Sequence, residues 1–126
     1  KAGKGRISEV TARNLANNYG TRGVDLAESA AKDQLLATLL VPGRPEIMAQ
    51  VDHAVHHELA ATVRDVLIRR TQIFFRDHDQ GLGCCEVVAA RMAELLGWDG
   101  DREVEEVLGY QREVALARQW REDLPK

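Results

Sequence analysis

Three histidines and four arginines crowd the stretch from Val51 to Arg76, and their spacing is what in this chain could do chemistry. His53 and His57 are four residues apart, so a helix would set both imidazoles on one face with His56 beside them, a geometry able to hold zinc or nickel. Two or three imidazoles are not a complete site. His57-Glu58-Leu59-Ala60-Ala61 also falls one residue short of the HExxH zinc-protease pattern, because Ala61 stands where the second histidine belongs. A polar helix face is the simpler reading, and no metal ligand is assigned.

Arg64, Arg69, Arg70 and Arg76 would suit a phosphate or nucleic-acid patch, next to the free NH groups of a helix starting at Thr62. Asp65, however, precedes Arg69 by four residues, the spacing of an intrahelical ion pair. Structural pairing is the stronger reading. A basic amphipathic helix lying on a membrane is a third, and burial of its apolar side against other helices accounts for the pattern more simply. Adjacent Cys84 and Cys85 would make a strained redox pair near a helix start, or else pack as small hydrophobes. The chain carries no glycine-rich phosphate loop, no GxSxG elbow and no paired catalytic carboxylates, so no catalytic or cofactor-binding residue is assigned.

The elements that must position these residues read as helices. Ser8 caps a first helix that ends at Gly20. A second is expected from Val24 to Leu39, with Asp33 and Gln34 weakening its continuity. Pro45 suits the first turn of a third, whose buried face would be Ile47, Val51, Ala54, Val55 and Leu59. Thr62 and Asp65 imitate a capping box for a fourth, Val63 to Arg76, in which Arg70 interrupts an apolar stripe of Val63, Val66, Leu67, Ile73 and Phe74. Cys85, Val88, Ala89, Met92, Leu95 and Leu96 mark a fifth, closed by Gly97. Asp99 caps a last helix from Arg102 to Trp120, with Val104, Val107, Leu108, Val114 and Ala115 turned inward. No alternating run reads as a strand, so the expected fold is all-α, a compact bundle of about six helices.

At 126 residues the chain is about one domain long, with 17 basic residues against 20 acidic. A net charge of −3 gives no global field to draw nucleic acid, so any anion site must be local. The adjacent cysteines close no useful loop, which fits a reducing, cytoplasmic setting. No apolar run approaches the roughly 20 residues that a membrane span needs. Residues 1–6, KAGKGR, read as a linker remnant, 7–120 as a single helical domain and 121–126 as a tail.

Taken as a block, residues 51–75 resemble the C-terminal domain of FAD-dependent glycerol-3-phosphate dehydrogenases and alpha-glycerophosphate oxidases. The residues that carry the likeness are Val51, Ala54, Val55, Glu58, Ala60, Thr62, Asp65, Val66, Leu67, Arg69, Arg70 and Thr71, followed by Phe74 and Phe75. Tyr19-Gly20, Leu40-Val41-Pro42-Gly43, the run from Val88 to Asp99, and Tyr110 extend it over most of the chain. His53, where that family often has tyrosine, Val63 and the GLGCCE run depart from it.

The resemblance implies a parent enzyme that oxidises glycerol 3-phosphate to dihydroxyacetone phosphate with FAD and passes electrons onward. It implies that the flavin is held by a preceding domain, that this helical part docks there without binding cofactor or turning over substrate, and that the parent is cytoplasmic or peripheral to the cell membrane. Glu58, Thr62, Asp65, Arg69, Arg70 and Thr71 are then structural or interdomain residues, with Arg70 expected on the apolar stripe and held by Glu58. A stand-alone helical module that binds nucleic acid or metal is the alternative, and it does not explain why these six residues occur together.

Overall fold

A computed structural model describes residues 6–122, so the expectations for residues 1–5 and for the end of the 121–126 tail lie outside the described residues. Among the described residues the chain is all-α, with seven helical segments and one isolated bridge between Leu39 and Ile47. The chain divides into two units, residues 1–59 and 60–126.

The first unit begins with α1, Glu9–Tyr19, and α2, Thr21–Lys32. Ser8 caps α1 as expected, its Oγ accepting the Thr11 NH at 3.1 Å, and Thr11 in turn donates its hydroxyl to the Pro45 carbonyl at 2.9 Å. Gly20, at φ 58°, is both the end of α1 and the start of α2, a conformation that a side chain would resist. The two helices then fold back closely enough that buried Gly23 lies against the backbone of Leu15 and Ala16.

The second helix is shorter than expected. Asp33 leaves the helix in an extended conformation, and its carboxylate accepts the Leu35 NH at 2.9 Å. A short acid that bonds its own local backbone competes with helix, which explains the stop. Residues 33–47 then form a loop that pairs with itself: Leu40 NH donates to the Glu46 carbonyl at 3.0 Å and Met48 NH to the Thr38 carbonyl at 2.9 Å.

That pairing delays the third helix, α3, to Met48–His57, past Pro45. Gln50 reaches back from its first turn, its side-chain oxygen accepting the Ile47 NH at 2.9 Å. Leu15, Leu26, Ala30, Ile47 and Ala49 form the buried cluster of this unit, flanked by Ile7, Tyr19 and Leu36. Leu59, expected on the buried face of α3, lies beyond its end at φ 58° and is 87% exposed.

In the second unit the expected fourth helix is broken. Helical winding starts at Val63, but Asp65–Arg70 is wound as a π-helix, and α4 is only Ile73–Arg76. Thr71 makes the break: its NH donates to the Val66 carbonyl at 2.8 Å, five residues back, and its hydroxyl donates to the same oxygen at 3.0 Å. Gln72 then turns left-handed at φ 59°. This extra break is why seven segments are found where about six were expected.

The fifth and sixth helices are α5, Cys85–Leu96, and α6, Gly100–Glu122. Gly97, at φ 74°, closes α5 as expected, and both it and Trp98 donate NH groups to the Ala93 carbonyl. Asp99 caps α6 through its carboxylate, which accepts the Arg102 NH at 2.8 Å. The inward face of α6 differs from expectation. Val114 is buried as expected, but it is joined by Glu106 and Tyr110, whereas Val104 and Leu108 are half or more exposed. The buried set repeats every four residues from a carboxylate and a phenol, so hydropathy alone selected the neighbouring face.

Candidate functional site

The six residues singled out from the sequence fall at the end of α3 and around the π-wound segment. Glu58 is the half-buried residue at the α3 C-terminus, its NH bonded to the Ala54 carbonyl at 3.1 Å. Thr62 and Asp65 form the expected reciprocal cap: the Thr62 hydroxyl accepts the Asp65 NH at 3.0 Å, while one Asp65 oxygen accepts the NH groups of Ala61 at 2.9 Å and Thr62 at 3.2 Å. Burial pushes the Asp65 carboxyl upward, but the hydrogen bonds from Ala61 and Thr62 and the charge of Arg69 outweigh it and hold the group below its ordinary range.

Arg69 pairs with Asp65 at 3.7 Å, as its spacing implied, and Arg64 reaches Glu113 of α6 at 3.4 Å. Both arginines are well exposed, so these pairs orient side chains more than they stabilise the fold. Arg70 overturns one part of its expectation: it is exposed and does not lie on the buried stripe. The physical reason is the winding: a π-turn takes more residues than an α-turn, so the position four after Val66 no longer shares its face.

Asp65→Ala should therefore lower stability by about 1–2 kcal/mol, the cost of losing a helix cap. Because the Asp65 carboxyl titrates lower in the folded chain than in the unfolded one, its contribution is present above the ordinary carboxylate pKa and is lost as pH falls through the folded value. Urea denaturation of the wild type and the variant at neutral and acid pH measures both; the difference between the two proteins should shrink in acid.

Two supporting residues were given no structural role from the sequence, where Tyr110 only extended the family likeness. Glu106 is a buried carboxylate that accepts the Val63 NH at 3.0 Å and the Arg102 Nε at 3.0 Å, so it caps the π-wound helix from another element. Tyr110 is fully buried and donates its hydroxyl to the Gln80 carbonyl at 2.6 Å; burial, then the neighbouring thiols, push its phenol upward. The four-residue spacing of Glu106, Tyr110 and Val114 was the available signal. Cys84 and Cys85 are buried thiols that form no disulfide, and burial together with Glu86 raises the Cys85 thiol, which leaves it a packing residue.

The histidines occupy a different place, a cavity of about 500 Å³ within the first unit, between α2 and α3. His53 is buried, packs edge-on to Tyr19 with ring centroids 5.1 Å apart, and lies 5.0 Å from the His57 ring. Burial chiefly lowers the His53 pKa, with His57 and Arg22 adding to the fall and Glu58 opposing it. Among the described residues no three His, Cys, Asp or Glu side chains are placed to hold a metal ion together.

Since the folded chain resists protonation of His53, its stability contribution is complete above 6.5 and is lost as pH falls through the lowered folded value. His53→Phe should flatten that part of the pH–stability profile; an unchanged profile in thermal melts would sink the assignment.

The family model for the C-terminal domain of alpha-glycerophosphate oxidase matches residues 2–103, a span that includes the Thr62–Asp65 cap and the π-wound segment. The chain belongs to that family. Similar curated proteins include a probable mitochondrial glycerol-3-phosphate dehydrogenase of Dictyostelium discoideum, 35% identical over 101 residues, which are 80% of this chain and 16% of that protein. A probable glycerol-3-phosphate dehydrogenase of Encephalitozoon cuniculi is 30% identical over 96 residues, covering 76% of this chain and 15% of its own length. Glycerol-3-phosphate dehydrogenase 2 of Mycobacterium tuberculosis is 32% identical over 95 residues, covering 73% and 16% respectively. The domain thus spans about one sixth of the length of these relatives. No solved structure gives a significant match. No helix among the described residues is long and apolar enough to cross a membrane.

Proposed function

We propose that this domain is the helical C-terminal part of an FAD-dependent glycerol-3-phosphate dehydrogenase that converts glycerol 3-phosphate to dihydroxyacetone phosphate. The observation that carries the reading is the match of residues 2–103 to the C-terminal domain of alpha-glycerophosphate oxidase, joined to relatives named glycerol-3-phosphate dehydrogenase. FAD and substrate belong to a preceding domain in this reading. The domain binds neither, and it docks on the flavin domain as a support. The parent works in the cytoplasm, peripheral to the inner face of the cell membrane.

The polar residues that the sequence singled out support that role, since Thr62, Asp65, Arg69 and Thr71 are spent on ending and starting helices. Their carboxylate, hydroxyl and guanidinium groups build a scaffold. The test is reduction of a dye acceptor by the full-length parent with glycerol 3-phosphate, alongside this chain alone. The parent should carry a flavin spectrum and reduce the dye, and this chain should do neither. A parent without bound flavin, or without activity that depends on glycerol 3-phosphate, would overturn the reading.

A further inference from the structure

The cavity between α2 and α3 is more than a gap in packing. Its floor is apolar, from Leu26, Leu36 and Ala49, and its polar lining holds Arg22, Ser29, His53, His56 and His57 together with the carboxylates of Asp25 and Asp52. About 500 Å³ is the size of a small-molecule site. Arg22 makes neither an ion pair nor a hydrogen bond among the described residues, although Asp25 lies three positions along the same helix. An unmatched guanidinium beside two exposed imidazoles and a hydroxyl is a donor set for an oxyanion.

We propose that this cavity binds a small phosphate-bearing anion, its oxygens held by Arg22, His56 and His57 and its organic portion on the Leu26, Leu36 and Ala49 floor. The proposal goes beyond the dehydrogenase reading and does not depend on it. Charges facing His53 and the cavity come from α2 and α3 and from the residue that ends α3: Arg22 and Asp25, then Asp52, His56 and His57, then Glu58. Asp25 is exposed, as are Arg22, His56 and His57, and Asp52 is already engaged within the protein, so the donors outnumber the carboxylate left to oppose an anion. At His53 the charges of Arg22 and His57 oppose protonation while Glu58 favours it, and a bound anion would act with Glu58. An anion bound beside His53 should therefore favour its protonated form.

Histidine-detected NMR of the whole chain tests this. Inorganic phosphate, added at constant ionic strength, should saturably raise the midpoints of His53 and His57 and leave His78, which does not line the cavity, unmoved. Arg22→Gln, at an exposed position, should weaken binding by about tenfold, and His57→Gln should weaken it as well. A parallel titration with phosphatidic acid vesicles distinguishes a lipid headgroup from free phosphate as the source; a response to either, lost in Arg22→Gln, supports the site. No saturable shift with either probe, an equal shift at His78, or full binding by Arg22→Gln overturns it.

Discussion

Gly23→Ala is expected to lower the stability of the first unit by about 3 kcal/mol or more, the upper range for overpacking a core. A methyl group there would press on the carbonyl oxygen of Leu15 and lie 2.7 Å from its carbonyl carbon and 3.1 Å from the Ala16 nitrogen. These are backbone atoms of a neighbouring helix, and no rotamer change can move them. Gly23 sits inside α2, where glycine costs about 1 kcal/mol of helix propensity relative to alanine. Close approach of α1 and α2 offsets that cost. Gly109→Ala is the matched control: it also lies within a helix, but an added methyl group meets nothing within 4 Å. Urea midpoints should fall sharply for Gly23→Ala and rise by about 1 kcal/mol equivalent for Gly109→Ala. Equal behaviour of the two variants would mean that α1 and α2 do not pack as described.

Glu106→Ala should cost about 1–3 kcal/mol, chiefly because it strands the buried Val63 NH; the ion pair with Arg102, whose side chain is 42% exposed, adds little. One carboxylate oxygen serves Val63, the first residue of the helical winding, and the other serves Arg102. The cap is tertiary: donor and acceptor are 43 positions apart, so its loss should loosen the start of the π-wound segment and α6 together. Glu106→Gln keeps one oxygen for the Val63 NH and gives up the charge and the acceptor that Arg102 uses, and it should cost less than Glu106→Ala. Hydrogen exchange at Val63 separates the variants. Fast exchange in Glu106→Ala with protection retained in Glu106→Gln is expected, and protection retained in both would refute the assignment.

Neither prediction was legible in the sequence. Nothing around Gly23 distinguishes it in sequence from an ordinary weak point in a helix, because the reason for it lies in the backbone of another helix. Glu106 reads as one more solvated acid on α6, and only its position opposite Val63 makes it a cap. Sequence periodicity selects the face with more aliphatic carbon, and on α6 that choice fell on Val104 and Leu108, which are exposed. The buried face instead carries Glu106 and Tyr110, whose polar atoms are tolerated because each has a partner.

What the sequence determined by itself was whatever depends on contacts within a few residues. Ser8, Thr62 with Asp65, Gly97 and Asp99 set helix ends through their own side chains or backbone freedom, and each acts where its spacing said it would. The all-α class and the family likeness rest on the same local patterns. Only the tertiary structure decided the rest: the π-winding that turns Arg70 outward, the exposed left-handed Leu59, the buried face of α6, and the cavity that gathers Arg22 with three histidines. The reason is that helical periodicity shows which residues share a face, whereas the residues that face meets are chosen by packing between segments far apart in the chain.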